Sequence, residues 1–280
     1  MTNRDSAVRT VAIPLAGEMG AGIGGVLTRN GLRVVTRTEA RSVDTHRRAA
    51  AAGMESTDHA GLAAADIILS IVPPDLALET AAALAPHLDR KTPSIYVDCN
   101  AVSPGTAMEI AAVIEAASGI FVDGSIIGPP PAADGGMPKL YVSGPDAPRV
   151  EVLTRSGLDV RRLDGTVGTA SALKMAYGGL TKGLTGITAA LILAADRAGV
   201  GDALRVELAD SQPALLARAR TALPDMLPKA YRWTAEMDHV AAFVGERPEA
   251  AVWAALGAFY AAIAADLEQG GEVEGLRRFL

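Results

Sequence analysis

The sequence predicts an α/β domain with a doubly wound, mainly parallel sheet, followed by an all-α domain built on one long helix. Three observations carry this. Residues 1–165 alternate short apolar runs with helical stretches, the pattern of parallel strands joined by crossover helices. Near the head of the chain, the stretch TVAIPLAGEMGAGIGG (residues 10–25) reads as a strand, a glycine turn and a helix start. After Gly168 the strand pattern stops. The domains so read are 1–165 and 166–280.

Taken in order, Val11–Leu15 reads as the first strand and Ala21–Asn30 as a helix. Gly31-Leu32 turns the chain into a second strand, Arg33–Thr36, and Val43–Ala52 is a helix. Ile67–Val72 is an apolar strand stopped by Pro73-Pro74, since proline lacks the ladder donor. Ala77–Leu88 is a helix and Ser94–Asp98 a strand. Ser103-Pro104 opens a helix to Ala117, with proline at the first helical position. Ile120–Asp123, Lys139–Ser143 and Val160–Leu163 are further strands. Ala170 to Arg197 reads as one very long helix, and the remainder as helices broken near Pro213, Pro224, Pro228 and Pro248.

Composition narrows the function classes. Hydrophobic residues make up 49% of the 280, which excludes disorder. A net charge of −6 argues against nucleic acid and against an anionic membrane surface as partners. The longest apolar run, Leu184 to Ala195, is too short to span a bilayer. The N-terminal segment MTNRDSAVRT lacks the apolar core of a signal peptide, and the single cysteine, Cys99, has no internal partner. Both point to the cytoplasm. The histidines (His46, His59, His87, His239) are scattered and no metal site is expected.

The first turn fits a Rossmann-type dinucleotide site. Glycines let the backbone approach a pyrophosphate, and the helix N–H groups and dipole face its charge. The fingerprint is imperfect: directly after the strand it reads Leu15-x-Gly17-x-x-Gly20, with the first glycine missing. A full Gly20-x-Gly22-x-x-Gly25 lies inside the helix. Glycines that only pack a helix onto a sheet are the plainer alternative. Ligands of such sheets sit at the C-terminal strand ends, so Leu15–Gly17, Thr36–Thr38, Val72–Pro74 and Asn100 are expected to line one crevice. Gly17, Glu18, Met19, Arg37, Thr38, Arg41, Val72, Pro73, Pro74 and Asn100 are the candidate cofactor contacts. Arg37, Thr38 and Arg41 after the second strand favour the 2′-phosphate of NADP(H) over the ribose of NAD(H).

Only five of the 26 basic residues are lysines, and Lys174 and Lys182 lie on the long helix. Ala170, Lys174, Gly178, Thr181, Thr185 and Thr188 share one stripe of small and hydroxyl residues. A lysine desolvated there can trade protons with a substrate. On composition and spacing alone, a solvated lysine beside packing glycines is the preferred alternative. Lys182, about 80° away around the helix, reads as a surface or interface residue.

Four motifs in order resemble the β-hydroxyacid dehydrogenase superfamily, which includes hydroxyisobutyrate and phosphogluconate dehydrogenases and the related imine reductases. They are Gly17-Glu18-Met19-Gly20, the segment DCNAVSPGT at 98–106, FVDGSIIG at 121–128, and Gly168 followed six residues later by Lys174. Thr181-Lys182-Gly183, Ile127-Gly128-Pro129-Pro130 and Trp233-x-x-Glu236-Met237 resemble a less characterised branch with a phosphogluconate-dehydrogenase-like C-terminal domain. The resemblance implies hydride transfer between nicotinamide and a small alcohol or carbonyl substrate. It implies that Lys174 is the catalytic acid/base and that the chain pairs as a homodimer through the helical domain.

The departures fall on the substrate side. The family's carboxylate-gripping serine aligns with Ile127, its asparagine after the lysine with Gly178, and a substrate-side lysine, loosely, with Glu236. Ile127, Gly128, Pro129, Tyr177, Gly178, Thr181, Trp233 and Glu236 are the candidate substrate contacts, and they suit a less acidic substrate, including one that carries an amine. Two other readings stand beside the dehydrogenase: an imine reductase on the same scaffold, and a nucleotide sensor without turnover.

Overall fold

The computed structural model describes residues 8–131 and 136–280. Segment 1–7, part of the polar N-terminal stretch read above, lies outside them. The chain divides into two compact units, 1–174 and 175–280. The expected boundary after residue 165 lies just before the helix within which this division falls.

In the first unit the elements are β1 (Thr10–Ala12), α1 (Glu18–Arg29), β2 (Arg33–Thr36), α2 (Val43–Ala51), β3 (Glu55–Ser56), α3 (His59–Ala63), β4 (Ile67–Ser70), α4 (Ala77–Leu84), β5 (Ile95–Asp98), α5 (Pro104–Ala116), β6 (Ile120–Ile127), β7 (Lys139–Ser143) and β8 (Asp159–Arg162). Helix α6 (Thr169–Arg197) starts in this unit and runs on past its end. The eight strands form one sheet in the order β3-β2-β1-β4-β5-β6-β7-β8. Every pairing is parallel except β6 with β7. This is the mainly parallel, doubly wound sheet that the alternation predicts.

Side-chain alternation explains why the strands read as unbroken apolar runs. Val11, Ile67, Leu69, Val97 and Val122 point into the core on one face. Ala12, Ile68, Tyr96 and Phe121, one residue out of phase, point into the core on the other. A strand buried on both faces has no polar side to alternate with.

Caps and prolines set the ends. The Ser42, Asp58 and Ser103 side chains accept from the backbone N–H of Thr45, Gly61 and Thr106, opening α2, α3 and α5. The β1 ladder stops at Ala12 rather than Leu15, ahead of Pro14, and β4 stops at Ser70 rather than Val72. Helix α4 ends at Leu84 rather than Leu88, giving way to a 3₁₀ turn that contains Pro86. The sequence reading missed β3 and α3, which are two and five residues long and too short to show a period. It also missed a 3₁₀ segment at Ala147–Ser156.

The second unit comprises the rest of α6 with α7 (Gly201–Ser211), α8 (Pro213–Met226), α9 (Ala230–Val244), α10 (Ala250–Gln269) and α11 (Glu272–Phe279). Leu223, Met226, Trp233, Met237, Tyr260 and Ile263 are buried in it. A Cβ at Gly183 would stand 2.4 Å from the Trp253 ring, and one at Gly186 2.7 Å from Leu256, so these glycines let α6 and α10 approach closely. Pro213 opens α8 as expected. Pro224 lies inside α8, two residues before its end at Met226, and Pro228 lies in the 3₁₀ turn Leu227–Lys229 that separates α8 from α9.

Helices α6 and α10 are each long and apolar enough to cross a membrane by length and composition. The uninterrupted run within α6 is shorter, as read above. Core helices of proteins without a membrane span pass the same test.

Candidate functional site

The turn after β1 shows what each glycine of the fingerprint meets. Helix α1 begins immediately after Gly17, which has φ −68° and ψ −177° and supplies no side-chain cap. Among the described residues, no atom beyond its chain neighbours lies within 4 Å of where a Gly17 Cβ would stand. A Cβ at Gly20 would stand 2.3 Å from the Leu15 carbonyl oxygen. Gly17 therefore leaves an open cradle at a helix N-terminus, and Gly20 sets the close approach of helix to strand, the roles these glycines have in a dinucleotide turn. Gly22 and Gly24 meet Pro131 and Met54 and serve packing. Arg48 from α2 donates to the Ala16 carbonyl at 3.0 Å and fixes the turn from the side. The residues present fit a pyrophosphate over the Glu18 and Met19 backbone.

Beside the turn, a cavity of about 240 Å³ is lined by Pro14, Leu15, Arg37, Arg41, His59 and Val72, among others. Arg37 donates to Glu39 at 3.0 Å, and Glu39 is 75% exposed. The Thr38 hydroxyl is 2.6 Å from that of Ser56, which ties the end of β2 to β3.

Asn100 follows β5 and is buried. Its Oδ1 accepts from the Val72 N–H at 2.7 Å, and its Nδ2 donates to Ser70 Oγ at 3.1 Å and to Asp98 Oδ1 at 2.5 Å. Both amide protons are thus spent inside the unit, and the side chain pins the Val72-Pro73-Pro74 loop to the end of β5. Burial pushes the Asp98 carboxyl up to about 7; the bonds from Asn100 pull it down, and the charge of Asp123 on the neighbouring strand adds to the rise.

Asp123 was visible in the sequence only as part of a motif. It is fully buried. Its Oδ2 accepts from Ser143 Oγ at 2.7 Å and from the backbone N–H groups of Gly168, Ala170 and Ser171 at 2.9, 2.8 and 3.2 Å. Its Oδ1 accepts from Ser171 Oγ at 2.6 Å. A carboxylate from the sheet thus caps the first turn of α6 across more than forty residues of chain. Asp98, Asp123, Ser171 and Arg48 are the residues that sequence reasoning did not single out. For Asp123, Ser171 and Arg48 the decisive contacts are distant in sequence.

One turn further along α6, Lys174 Nζ donates to the Ile126 carbonyl at 2.6 Å. That carbonyl precedes Ile127, Gly128 and Pro129 at the C-terminal end of β6, on the sheet edge that also carries Asn100, Val72 and the glycine turn. Gly128 has φ +130°, a backbone conformation that only glycine adopts freely. The sheet edge thus brings together Lys174, the Ile127–Pro129 loop and every expected cofactor contact.

The other expected substrate residues lie in the second unit. Tyr177 is half exposed, and the space around Gly178 is open. The Thr181 hydroxyl donates back to the Tyr177 carbonyl at 2.9 Å. Lys182 is ion-paired with Glu236, the side chains being 17% and 15% exposed, and stands 5.3 Å from the centre of the Trp233 ring. Of the expected surface or interface roles of Lys182, the surface one does not hold, because the next turns of α6 face α9 and α10. The Trp233 edge meets Tyr260 at 5.2 Å, and the Tyr260 hydroxyl donates to the Lys182 carbonyl at 2.6 Å.

A doubly wound sheet with an open glycine cradle at the head of its first helix defines a dinucleotide-binding protein. Residues 13–153, half of the chain, match the family model described as the NAD binding domain of 6-phosphogluconate dehydrogenase, and the chain belongs to that family, within the β-hydroxyacid dehydrogenase superfamily. Residues 195–263 match a domain of unknown function, DUF1932, which places the chain in a less characterised branch. An uncharacterized 28.5 kDa protein of Methanothermus fervidus is 33% identical over 139 residues, 50% of this chain and 51% of that protein, so the chain spans about half the length of the curated relative it matches. The conserved protein MTH1747, of unknown function and described as structurally similar to 3-hydroxyacid dehydrogenases, is 27% identical with a TM-score of 0.69, covering 94% of this chain and 99% of its own. The 3-hydroxyisobutyrate dehydrogenase of Mycobacterium tuberculosis, at 17% identity, TM-score 0.71 and coverage of 97% and 99%, shares the fold.

Proposed function

We propose that this chain is an NADP(H)-preferring oxidoreductase that moves hydride between nicotinamide and a small alcohol or carbonyl substrate, with Lys174 as the general acid/base. The observation that carries the reading is the 2.6 Å bond from Lys174 to the Ile126 carbonyl, which holds an ammonium at the end of β6, next to the end of β5 that Asn100 follows. When bound, the nicotinamide supplies or accepts the hydride. Lys174 gives a proton to the developing alkoxide, or takes one from the alcohol in the oxidative direction, and its charge stabilises that oxygen. Gly17, Glu18 and Met19 hold the pyrophosphate, Arg37, Thr38 and Arg41 the ribose phosphate, and Val72, Pro73 and Pro74 the adenosine side. Asn100 acts by pinning that last loop.

Ile127 and Pro129 offer no charge to a substrate carboxylate, which supports a less acidic substrate; Tyr177 and Thr181 are the hydrogen-bonding candidates, beside the open Gly178. Glu236 is already engaged by Lys182 over Trp233 rather than open to a substrate amine, which favours the dehydrogenase over the imine reductase. A homodimer through the helical domain is supported by the exposed apolar residues of α6. The lone buried thiol, Cys99, suits a reducing compartment such as the cytoplasm.

The test is Lys174→Met, assayed with NADPH against aldehydes, ketones and cyclic imines. Turnover falls by about 100-fold or more while NADPH affinity holds. Retained turnover overturns the role of Lys174, and tight NADPH binding by the native chain without turnover on any substrate favours the sensor.

A further inference from the structure

We infer that His59 is a member of the site for the coenzyme's 2′-phosphate, and that it takes up a proton as the phosphate enters, so that preference for NADP over NAD strengthens as pH falls. This rests on the nucleotide reading above and goes beyond it by naming a residue that neither the glycine turn nor the basic loop after β2 includes.

The argument starts from the cavity. Arg37 and Arg41 enter from the loop after β2, and His59 from the first turn of α3. Leu62, Leu76 and Leu84 give the cavity an apolar lining, and Glu79 and Thr80 line it from α4. Two guanidinium groups and an imidazole thus share one small space with a single carboxylate. The His59 ring lies 5.9 Å from that of His87, tilted by 33°.

The charges around His59 oppose its proton. Burial, Arg37 and His87 lower its pKa, in that order, and outweigh Asp58 and Glu39, which raise it. Arg41 and Glu79 complete the set of ionisable groups on the cavity wall. The empty cavity thus disfavours the protonated imidazole of His59.

A phosphomonoester is close to a dianion above pH 7, its second pKa being about 6. Placed between Arg37 and Arg41, it reverses the field at His59. Arg37 can turn to it, because its present partner Glu39 is 75% exposed and holds the guanidinium only weakly. The neutral imidazole then takes one proton from solvent and becomes a third cation on the phosphate. No covalent bond changes. NAD, which carries a ribose hydroxyl there, has no such effect. Between the free and the bound pKa of His59, affinity for NADP falls as pH rises, and affinity for NAD stays level.

The experiment is isothermal titration of the full chain with NADP⁺ and NAD⁺ near pH 7.5, in buffers of different ionisation enthalpy, which counts protons taken up on binding. The native chain is expected to take up most of one proton with NADP⁺ and none with NAD⁺, and its NADP⁺ affinity to change by up to about tenfold per pH unit. His59→Gln is expected to lose the uptake and to weaken NADP⁺ by about tenfold, with NAD⁺ unchanged. His59→Lys is expected to bind NADP⁺ tightly with no uptake, a result that a packing role for His59 would not produce. Uptake that persists in His59→Gln, or equal uptake with NAD⁺, overturns the inference and leaves the coenzyme reading standing. Failure of the native chain to bind either nucleotide overturns both.

Discussion

The Ser171 hydroxyl donates to Asp123 Oδ1 at 2.6 Å, joining the middle of β6 to the first turn of α6. The same carboxylate takes three backbone N–H groups from that turn and the Ser143 hydroxyl. Its charge lies at the positive end of a 29-residue helix, where it is favourable. Lys174 follows Ser171 by less than one turn, so the cap also fixes where the lysine stands. Asp123→Asn turns an amide toward groups that are all donors. Its expected cost is about 2–4 kcal/mol, and that of Ser171→Ala about 1 kcal/mol, read by urea denaturation. In the proposed reaction, kcat falls in Asp123→Asn more than NADPH affinity does. Equal stability of the native chain and Asp123→Asn would remove the cap from the account.

The two glycines of the first turn separate binding from folding. Gly17 has an extended backbone open to any residue, with space around its missing Cβ. Gly17→Ala is expected to fold with an unchanged melting temperature and to weaken NADP⁺ and NAD⁺ alike by about tenfold or more, because the methyl occupies the phosphate cradle. Gly20→Ala pushes a methyl to 2.3 Å from the Leu15 carbonyl and is expected to lower the melting temperature by several degrees. Thermal melts with and without nucleotide check both. A Gly17→Ala variant that binds nucleotide normally would place the pyrophosphate elsewhere.

The centre of the sheet was legible because its parallel strands β1, β4 and β5 are buried on both faces, so Ile67 to Leu69 and Tyr96 to Val97 stand out as apolar runs between helices. Ser103-Pro104 announced α5 through cap chemistry alone. The two-residue β3 and five-residue α3 left no period to read, and α3 carries His59. At the site, the glycine turn and Lys174 were legible through local spacing and family likeness. The Asp98–Asn100–Val72 and Asp123–Ser171 connections were not, since strand pairing and helix docking create them. The burial of Lys182 was illegible for a related reason: helix rotation gives its angle, and only the fold shows that α9 brings Glu236 to that angle.

Asp98 makes stability depend on pH. Burial holds its carboxyl near 7 in the folded chain, above the 3.8 of an ordinary aspartate. The folded state therefore keeps a proton that the unfolded state loses. Its contribution is whole below about pH 4 and is lost as pH rises through 7, amounting to about 4 kcal/mol at most. Relative to the native chain, Asp98→Asn is expected to lose less stability between pH 5 and pH 8, as measured by urea denaturation at both. Parallel losses in the two proteins would show that Asp98 titrates as an ordinary carboxylate.

Helix α6 carries Tyr177, Leu180, Leu184, Ile187 and Leu191 along one face, with exposures between 42% and 71%. The alternating steps of three and four form a continuous apolar stripe, the pattern of a helix seam. Single exposed apolar residues are ordinary, but five in register on one helix are costly to leave in water. A second copy offers the same stripe, and a two-fold pairing covers both at once. Leu184→Glu and Leu191→Glu place a carboxylate in that seam without touching the interior of the unit. Each is expected to fold with native circular dichroism and to sediment as a monomer at concentrations where the native chain is a dimer. Variants that sediment with the native dimer would place the contact on another face, and a monomeric native chain would end the dimer proposal.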